Sequence, residues 1–377
     1  MNLHDYKNRK IQAPAPIGSY KSEDVIFLLK DLSNVVLEKE TGDREAAIQS
    51  GTHYSEMLPV EYKPTDEYIK LFLDTLESTA RRVAVACGIV SELIVSKRGL
   101  NIVLASLARA GTPIGILIKR YLKSMYNVNL PHYSISIIRG KGIDENAILY
   151  MIENHPGMDI QFIDGWTGKG AIRNVLREAR EALLHKGITL NDDLAVLADP
   201  GRCSETYGTR EDFLIPSACL NSTVSGLMSR TVLRDDLIGP DEFHGAKFYK
   251  EWLSEDLSNL FVDKVSAYFA EISEEAKTMS NRLMDSKPHA SWQGMKDIQR
   301  IQKDFGITDV NLVKPGVGET TRVLLRRIPW KILVDRLDNP NLKHIILLAQ
   351  DRHVPVEVYP GLTYSCCGII KPVKGGE

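Results

Sequence analysis

The sequence predicts an α/β protein built on a mainly parallel sheet with helices on both faces. Two observations lead there. From residue 101 to about 235, short apolar runs alternate with helical patterns, as strands joined by helical crossovers require. The runs are "NIVLAS", "YSISII", "DIQFID" and "DLAVLAD", with "TVLRDDLI" as a fifth candidate. Several of them also end in loops of small residues, at the strand ends where ligands of open α/β sheets gather.

The flanking segments read differently. In the polar first fifty residues, "SEDVIFLLKDLSNVV" has the spacing of an amphipathic helix, and the irregular "GTHYSEMLPVEYKPTDEY" follows. A long helix is predicted over "EYIKLFLDTLESTARRVAVACGIVSELIVSK". Beyond "GPDEFHG", Leu257, Phe261, Val265, Tyr268, Phe269 and Ile272 mark one face of a helix running to about Asp285, where "DSKPHASWQG" breaks it. The last seventy residues read as a small α/β unit: "VNLVKPG" strand, "GETTRVLLRRI" helix, "HIILLAQDRHVPVEVYP" helix then strand. Three segments are therefore expected: a sheet domain with a helical extension over 1–245, a helical connector over 246–304 and a small domain over 305–377.

Bulk properties narrow the function classes. With 377 residues, 43% hydrophobic and 25% charged, the chain has the composition of a soluble globular protein. A formal net charge of −2 gives no global bias toward nucleic acid or membrane. No apolar run approaches the roughly 18 residues of a membrane span, and "MNLHDYKNRK" lacks the apolar core of an export signal. The five cysteines, 87, 203, 219, 366 and 367, form an odd set without CxxC spacing, which fits reduced thiols in a cytoplasm.

The loops carry the chemistry. In "IQFIDGWTGKGAI" an apolar strand delivers Asp164 to a turn, and a helix follows. Helix-start amides and Thr167, Gly168, Lys169, Gly170 and Ala171 would suit a phosphate, although a glycine turn that merely packs is the alternative. The spacing fits neither a Walker A loop nor a dinucleotide fingerprint. "LASLARAGTPIG" ends the preceding strand with Arg109 among Ala108, Ala110 and Gly111, a setting suited to a diphosphate. Arg139 and Lys141 in "RGKG" read either as a basic loop closing over a polyanion or as a solvated hairpin tip. Asp199, Arg202, Thr209, Arg210 and Asp212 follow the fourth strand, and "SACLNSTVSG" adds Ser217, Asn221, Ser222, Thr223 and Ser225, suited to a polar acceptor or to capping. Tyr54 and Glu56 are candidates for a lid over the same face.

These loops resemble those of the type I phosphoribosyltransferases. "FIDGWTGKGA" departs from that family's pattern, with Gly165 where a second acid normally stands. More specifically, "HYSEMLP", "SLARAGTPIG", "HYSISIIRGKGID", "FIDGWTGKGAI", "GTREDFLIPSACLNSTVSGLMSRTVL" and "KPGVGETTRVLLRRIPW" together resemble a tellurite-resistance-associated phosphoribosyltransferase family that carries the label "cysteine protease StiP". The resemblance implies a phosphoribosyltransferase-like sheet and transfer of a phosphoribosyl group between diphosphate and a base-like acceptor. Phosphoribosyl diphosphate or a nucleotide would be the substrate, in a cytoplasmic enzyme for which a homodimer is one expected assembly. Arg109 and a magnesium ion would hold the diphosphate under Arg139 and Lys141. Asp164 would bind ribose hydroxyls and the metal, and residues 167–171 the 5-phosphate, with Asp199 and Arg202 nearby.

Two other readings stay open. Cys203, beside Arg202 on a polar loop, is the better thiol candidate for a cysteine protease, while Cys219 in "IPSACLNS" reads as a small buried hydrophobe. "GVGETTRVLLRRIPWKILV" and "NLKHIILLAQDRHVPVEVYPGL" resemble the Pelota-type RNA-binding fold, which implies RNA contact at Gly318, Glu319, Thr320, Thr321 and Arg322 with Arg326, Arg327 and Lys331 nearby. A non-catalytic RNA- or nucleotide-binding adaptor is therefore the third possibility.

Overall fold

In the computed structural model, which describes residues 11–371, apolar runs of the first unit pair side by side into a six-stranded sheet. Its strands are β1 (Ile26–Phe27), β2 (Ile102–Leu107), β3 (His132–Ile135), β4 (Asp159–Trp166), β5 (Leu194–Ala198) and β6 (Thr206–Thr209), in spatial order β1-β3-β2-β4-β5-β6. All pairings are parallel; Ser106 lies opposite Ile163, and Ala198 opposite Trp166. Those registers bring the ends of β2, β4 and β5 to one edge.

Strand alternation divides the apolar residues between two cores. Ile102 and Leu104 of β2 face α1 (Asp66–Arg98) and α2 (Gly111–Tyr126). Val103, Ala105 and Leu107 face α3 (Glu145–Asn154) and α4 (Ala171–His185). Every residue of β2 and β5 is buried, which is why these strands read as continuous apolar runs. α5 (Ser258–Ser266) and α6 (Phe269–Asp285) add a further layer on α1. The close approach of α6 requires Gly88, where a Cβ would stand 2.7 Å from that of Ala276.

Several local expectations change. "SEDVIFLLKDLSNVV" is not a helix: it supplies edge strand β1 and a second two-residue strand, Lys30–Asp31. "TVLRDDLI" contributes one isolated bridge, Val232 to Gly245, and the outer strand is the more polar "TYGT" of β6. The single helix expected from Leu257 to Asp285 is two helices, α5 and α6.

The C-terminal unit is mixed α/β. Its sheet comprises β7 (Val313–Pro315), β8 (Pro329–Val334), β9 (Val356–Val358) and β10 (Cys366–Ile370), ordered β7-β10-β8-β9. The β8–β9 pair is parallel and the other pairs are antiparallel. α7 (Gln293–Phe305) sends Ile298 and Ile301 into the same core as Val313, Leu333, Tyr364, Cys367 and Ile369. Helices α8 (Val317–Arg326) and α9 (Lys343–Asp351) complete the unit. Among the described residues, no helix is long and apolar enough to cross a membrane.

Candidate functional site

Loops from β2, β4 and β5 converge at the carboxyl edge of the parallel sheet. After β2 comes Ala108-Arg109-Ala110, then Gly111 opens α2. A Cβ on Gly111 would lie 2.5 Å from the Ile163 carbonyl oxygen, and one on Gly165 would lie 2.9 Å from that of Ala110. The first loop is thus pressed against the end of β4, and both glycines exist because backbone meets backbone there. Gly165, in the place of an expected acid, fills that packing role. Arg109 donates from Nη1 to the Met228 carbonyl at 3.2 Å and lies 3.8 Å from the buried carboxylate of Glu61. Glu61 in turn accepts from the Ser222 amide at 3.1 Å.

The second loop is crowded by the protein itself. Thr167 donates its hydroxyl to Asp199, whose carboxylate also accepts the amides of Cys203 at 2.7 Å and Ser204 at 3.2 Å. Asp199 is fully buried, and burial raises its proton affinity despite these donors and Arg210. A Cβ on Gly168 would lie 2.6 Å from the Trp166 ring. One on Gly170, which has φ +79° and caps α4, would lie 2.2 Å from Trp292 and 2.9 Å from Cys203 Sγ. Both glycines therefore lie against protein, Gly168 against Trp166 and Gly170 against Trp292 and Cys203.

Lys169 donates to the Val310 carbonyl of the C-terminal unit. Burial chiefly, then Lys314 and Arg139, pushes its pKa down to about 8. Asp164 accepts the Gly165 amide at 2.7 Å, and burial pushes its carboxyl up to about 7. Among the described residues, no group of three His, Cys, Asp or Glu side chains could hold a metal ion.

Arg139 and Lys141 occupy the exposed tip of a hairpin formed by Ile137–Ile138 and Gly142–Ile143. That tip is anchored: the Arg139 amide donates to the Tyr54 hydroxyl at 2.8 Å. The Arg139 guanidinium lies 5.7 Å from the Tyr54 ring centroid and that of Arg230 lies 5.2 Å from it. Arg230 escaped the sequence reading, since "SGLMSRTVL" offers only one cation after a run of small residues.

The third loop holds Cys203. Arg202 adopts φ +55° and is exposed, whereas Cys203 has 0% exposure. Its Sγ lies 3.4 Å from the Gly201 carbonyl oxygen and 3.8 Å from that of Gly168. Burial first, then the Asp199 charge, pushes the thiol up to about 12, against the opposing effect of Arg173 and Arg210. Proximity to cations therefore does not produce a thiolate in this state.

The C-terminal unit covers this loop. Trp292 donates its amide to the Arg202 carbonyl at 3.0 Å, and Gly294 to that of Gly201 at 3.1 Å. Tyr364 donates its hydroxyl to the Gly168 carbonyl at 3.0 Å. Asp212 of the first unit accepts the amides of Val317 at 3.0 Å and Ser365 at 2.9 Å, so it caps α8 from across the seam. The α8 start expected to meet RNA faces the first unit instead: a Cβ on Gly318 would lie 3.3 Å from Ala218 Cβ, and Thr320 and Thr321 are buried. Trp292 and Tyr364 were invisible as site residues because they lie about 90 and 160 positions from Cys203.

The architecture defines a class: a parallel α/β protein whose strand-end loops are sealed by a C-terminal α/β unit. Comparison with known proteins gives its family. Residues 18–266 match the family described as tellurite-like stress resistance cysteine protease StiP, and residues 292–372 match the PELOTA RNA binding domain. "Cysteine protease StiP" of Acinetobacter baylyi is 31% identical over 353 residues, covering 90% of each chain. A NifS-like protein from Rickettsia africae aligns over 93% of this chain and 95% of its own, with 9% identity and a TM-score of 0.20, too low to bear on the fold. The chain belongs to the StiP family and carries a Pelota-type C-terminal domain.

This family assignment corrects the expected activity. The family and the relative are named as cysteine proteases, which are hydrolases, so assignment to the phosphoribosyltransferases and to glycosyl transfer is overturned. Phosphoribosyl diphosphate loses its support as a substrate along with that reaction.

Proposed function

We propose that this chain is a cysteine protease of the StiP type, that Cys203 is its nucleophile, and that the present conformation is its covered, latent form. The observation that carries this reading is the position of Cys203. It sits on a loop at the carboxyl edge of the parallel sheet, beneath the seam with the C-terminal unit. The other four cysteines lie inside elements or against them: Cys87 within α1, Cys366 and Cys367 within β10, and Cys219 after a short turn, with its thiol against Thr75.

A thiol protease needs a thiolate, a base and stabilisation for an oxyanion. Withdrawal of Trp292 and Tyr364 from the loop would remove the burial that holds the proton on Cys203. Arg173 and Arg210 already favour the thiolate. His289 is the base candidate, because it belongs to the covering segment and its carbonyl accepts from Arg210 Nη2 at 2.9 Å. His53, His132, His155, His244 and His344 are hydrogen-bonded elsewhere. In the reaction, the Cys203 thiolate adds to the peptide carbonyl and the C–N bond breaks as the amine takes a proton from the base. Water then hydrolyses the thioester and returns the thiol.

The test is proteolysis of a denatured protein substrate, and of the chain itself, by wild type, Cys203→Ser and His289→Ala. Loss of cleavage in Cys203→Ser with an unchanged melting temperature is expected. Cleavage that survives in Cys203→Ser but disappears in Cys219→Ser would move the nucleophile elsewhere.

A further inference from the structure

We propose that single-stranded RNA binds along a basic track that crosses both units, from Arg230, Tyr54 and Arg139 in the first to Lys314 and Arg327 in the second. The Pelota match points to RNA for the C-terminal domain alone. In this chain the expected contact at the start of α8 is packed against the first unit, with the Val317 amide held by Asp212. An RNA strand approaching that domain therefore meets a surface to which both units contribute.

The cations are close enough to feel one another. Lys169 of the first unit donates to the Val310 carbonyl of the second, which joins the two sides of the track. Burial chiefly lowers the proton affinity of Lys169 and of Lys314, and Arg139 acts in the same direction on both, with Arg327 on Lys314, where Glu319 opposes them. The acids facing the track are fewer: Glu61 at 3.8 Å from Arg109, and Asp309 and Glu319 beside the lysines. A chain with formal net charge −2 has thus gathered cations across one seam. Their mutual repulsion costs free energy that a polyanion would relieve.

The aromatic between the cations favours RNA with unpaired bases. Tyr54 is half-buried, its ring flanked by two guanidinium groups and its hydroxyl bound to the Arg139 amide. A rigid ring beside arginines is a platform on which a base can stack while its phosphates meet the cations. Arg139, Arg230 and Arg327 are exposed, so phosphates reach them without displacing core residues. The spread of charge over two units exceeds what one phosphate group needs.

Fluorescence anisotropy on the full chain with a labelled oligouridine of about 12 nucleotides would test this. Arg139→Ala, Arg230→Ala and Arg327→Ala are each expected to weaken binding and to lower the salt slope by about 1. Tyr54→Leu is expected to weaken binding roughly tenfold at unchanged salt slope, while Tyr54→Phe, which keeps the ring, binds nearly as wild type. Loss confined to Arg327→Ala, with Arg139→Ala and Arg230→Ala normal, would place RNA on the C-terminal unit alone and overturn the proposal. Equal affinity for a duplex, or displacement by millimolar inorganic diphosphate that leaves Arg327→Ala indifferent, would overturn it too. The first would mean readout of shape, and the second a small-anion site.

Discussion

Tyr364 donates its hydroxyl to the Gly168 carbonyl at 3.0 Å, so a residue of the C-terminal unit grips the loop that lies against Cys203. Trp292 does the same from the side, its ring against Gly170 and its amide on Arg202. Tyr364→Phe removes one buried hydrogen bond, a loss of about 1 kcal/mol, or roughly fivefold in the population with the seam open. Trp292→Ala removes a large packed ring and is expected to open it further. The measurement is the rate of iodoacetamide modification at Cys203, located by peptide mass. It should rise in the order wild type, Tyr364→Phe, Trp292→Ala. Equal rates in all three would show that these contacts do not cover the thiol.

Asp164 ties stability to pH. Its carboxyl is pushed up to about 7 by burial, against about 3.9 in an unfolded chain. Between those values the folded state binds more protons than the unfolded state. Stability from this group is therefore greatest below the lower value and is lost as pH rises toward 7. Asp164→Asn removes the titration. Relative to wild type, the variant should melt higher at pH 8 and gain least at pH 4. A melting difference that is constant across this range would contradict the raised carboxyl.

How much was legible in the sequence depends on where each signal came from. Strands β2, β4 and β5 were readable because both faces are buried, which leaves continuous apolar runs. β1 was misread because a short apolar run suits helix and strand equally, and only its pairing with β3 decides. β6 was missed because "TYGT" is polar and short, yet Gly208 belongs there: a Cβ would stand 2.1 Å from the Ala86 carbonyl oxygen. The strand-end loops were found from their small residues, but what those residues meet was not. Gly168 and Gly170 adjoin Trp166 and Trp292, and the second of these comes from another unit. Local sequence reports the need for small size without naming the neighbour.

The glycines give a direct check of that point. Gly201 would place a Cβ 2.0 Å from the Gly168 carbonyl oxygen, and neither partner is a flexible side chain. Gly201→Ala should therefore cost about 3 kcal/mol, through displacement of the loop that carries Cys203. Gly239→Ala is the control, since a Cβ there meets only the side-chain end of Glu242, at 3.2 Å and on the surface, and it should lie within about 0.5 kcal/mol of wild type. Chemical denaturation distinguishes the two. Similar midpoints would mean that the loop yields freely.

Lys169 connects the seam to the proposed RNA track. Its pKa of about 8 lies below that of an unfolded lysine, because burial, Lys314 and Arg139 oppose the charged form more than Asp309 and Cys367 favour it. Between about 8 and 10.4 the unfolded state binds more protons, so stability from this group rises with pH in that window and is reduced below it. RNA phosphates laid along the track would favour the charged amine. Binding near pH 8.5 should therefore take up a fraction of a proton. Titration calorimetry in two buffers of different ionisation enthalpy measures that uptake. Lys169→Met should reduce the difference between buffers while leaving RNA bound, though more weakly. Identical heats in both buffers for the wild type would mean that RNA does not reach Lys169.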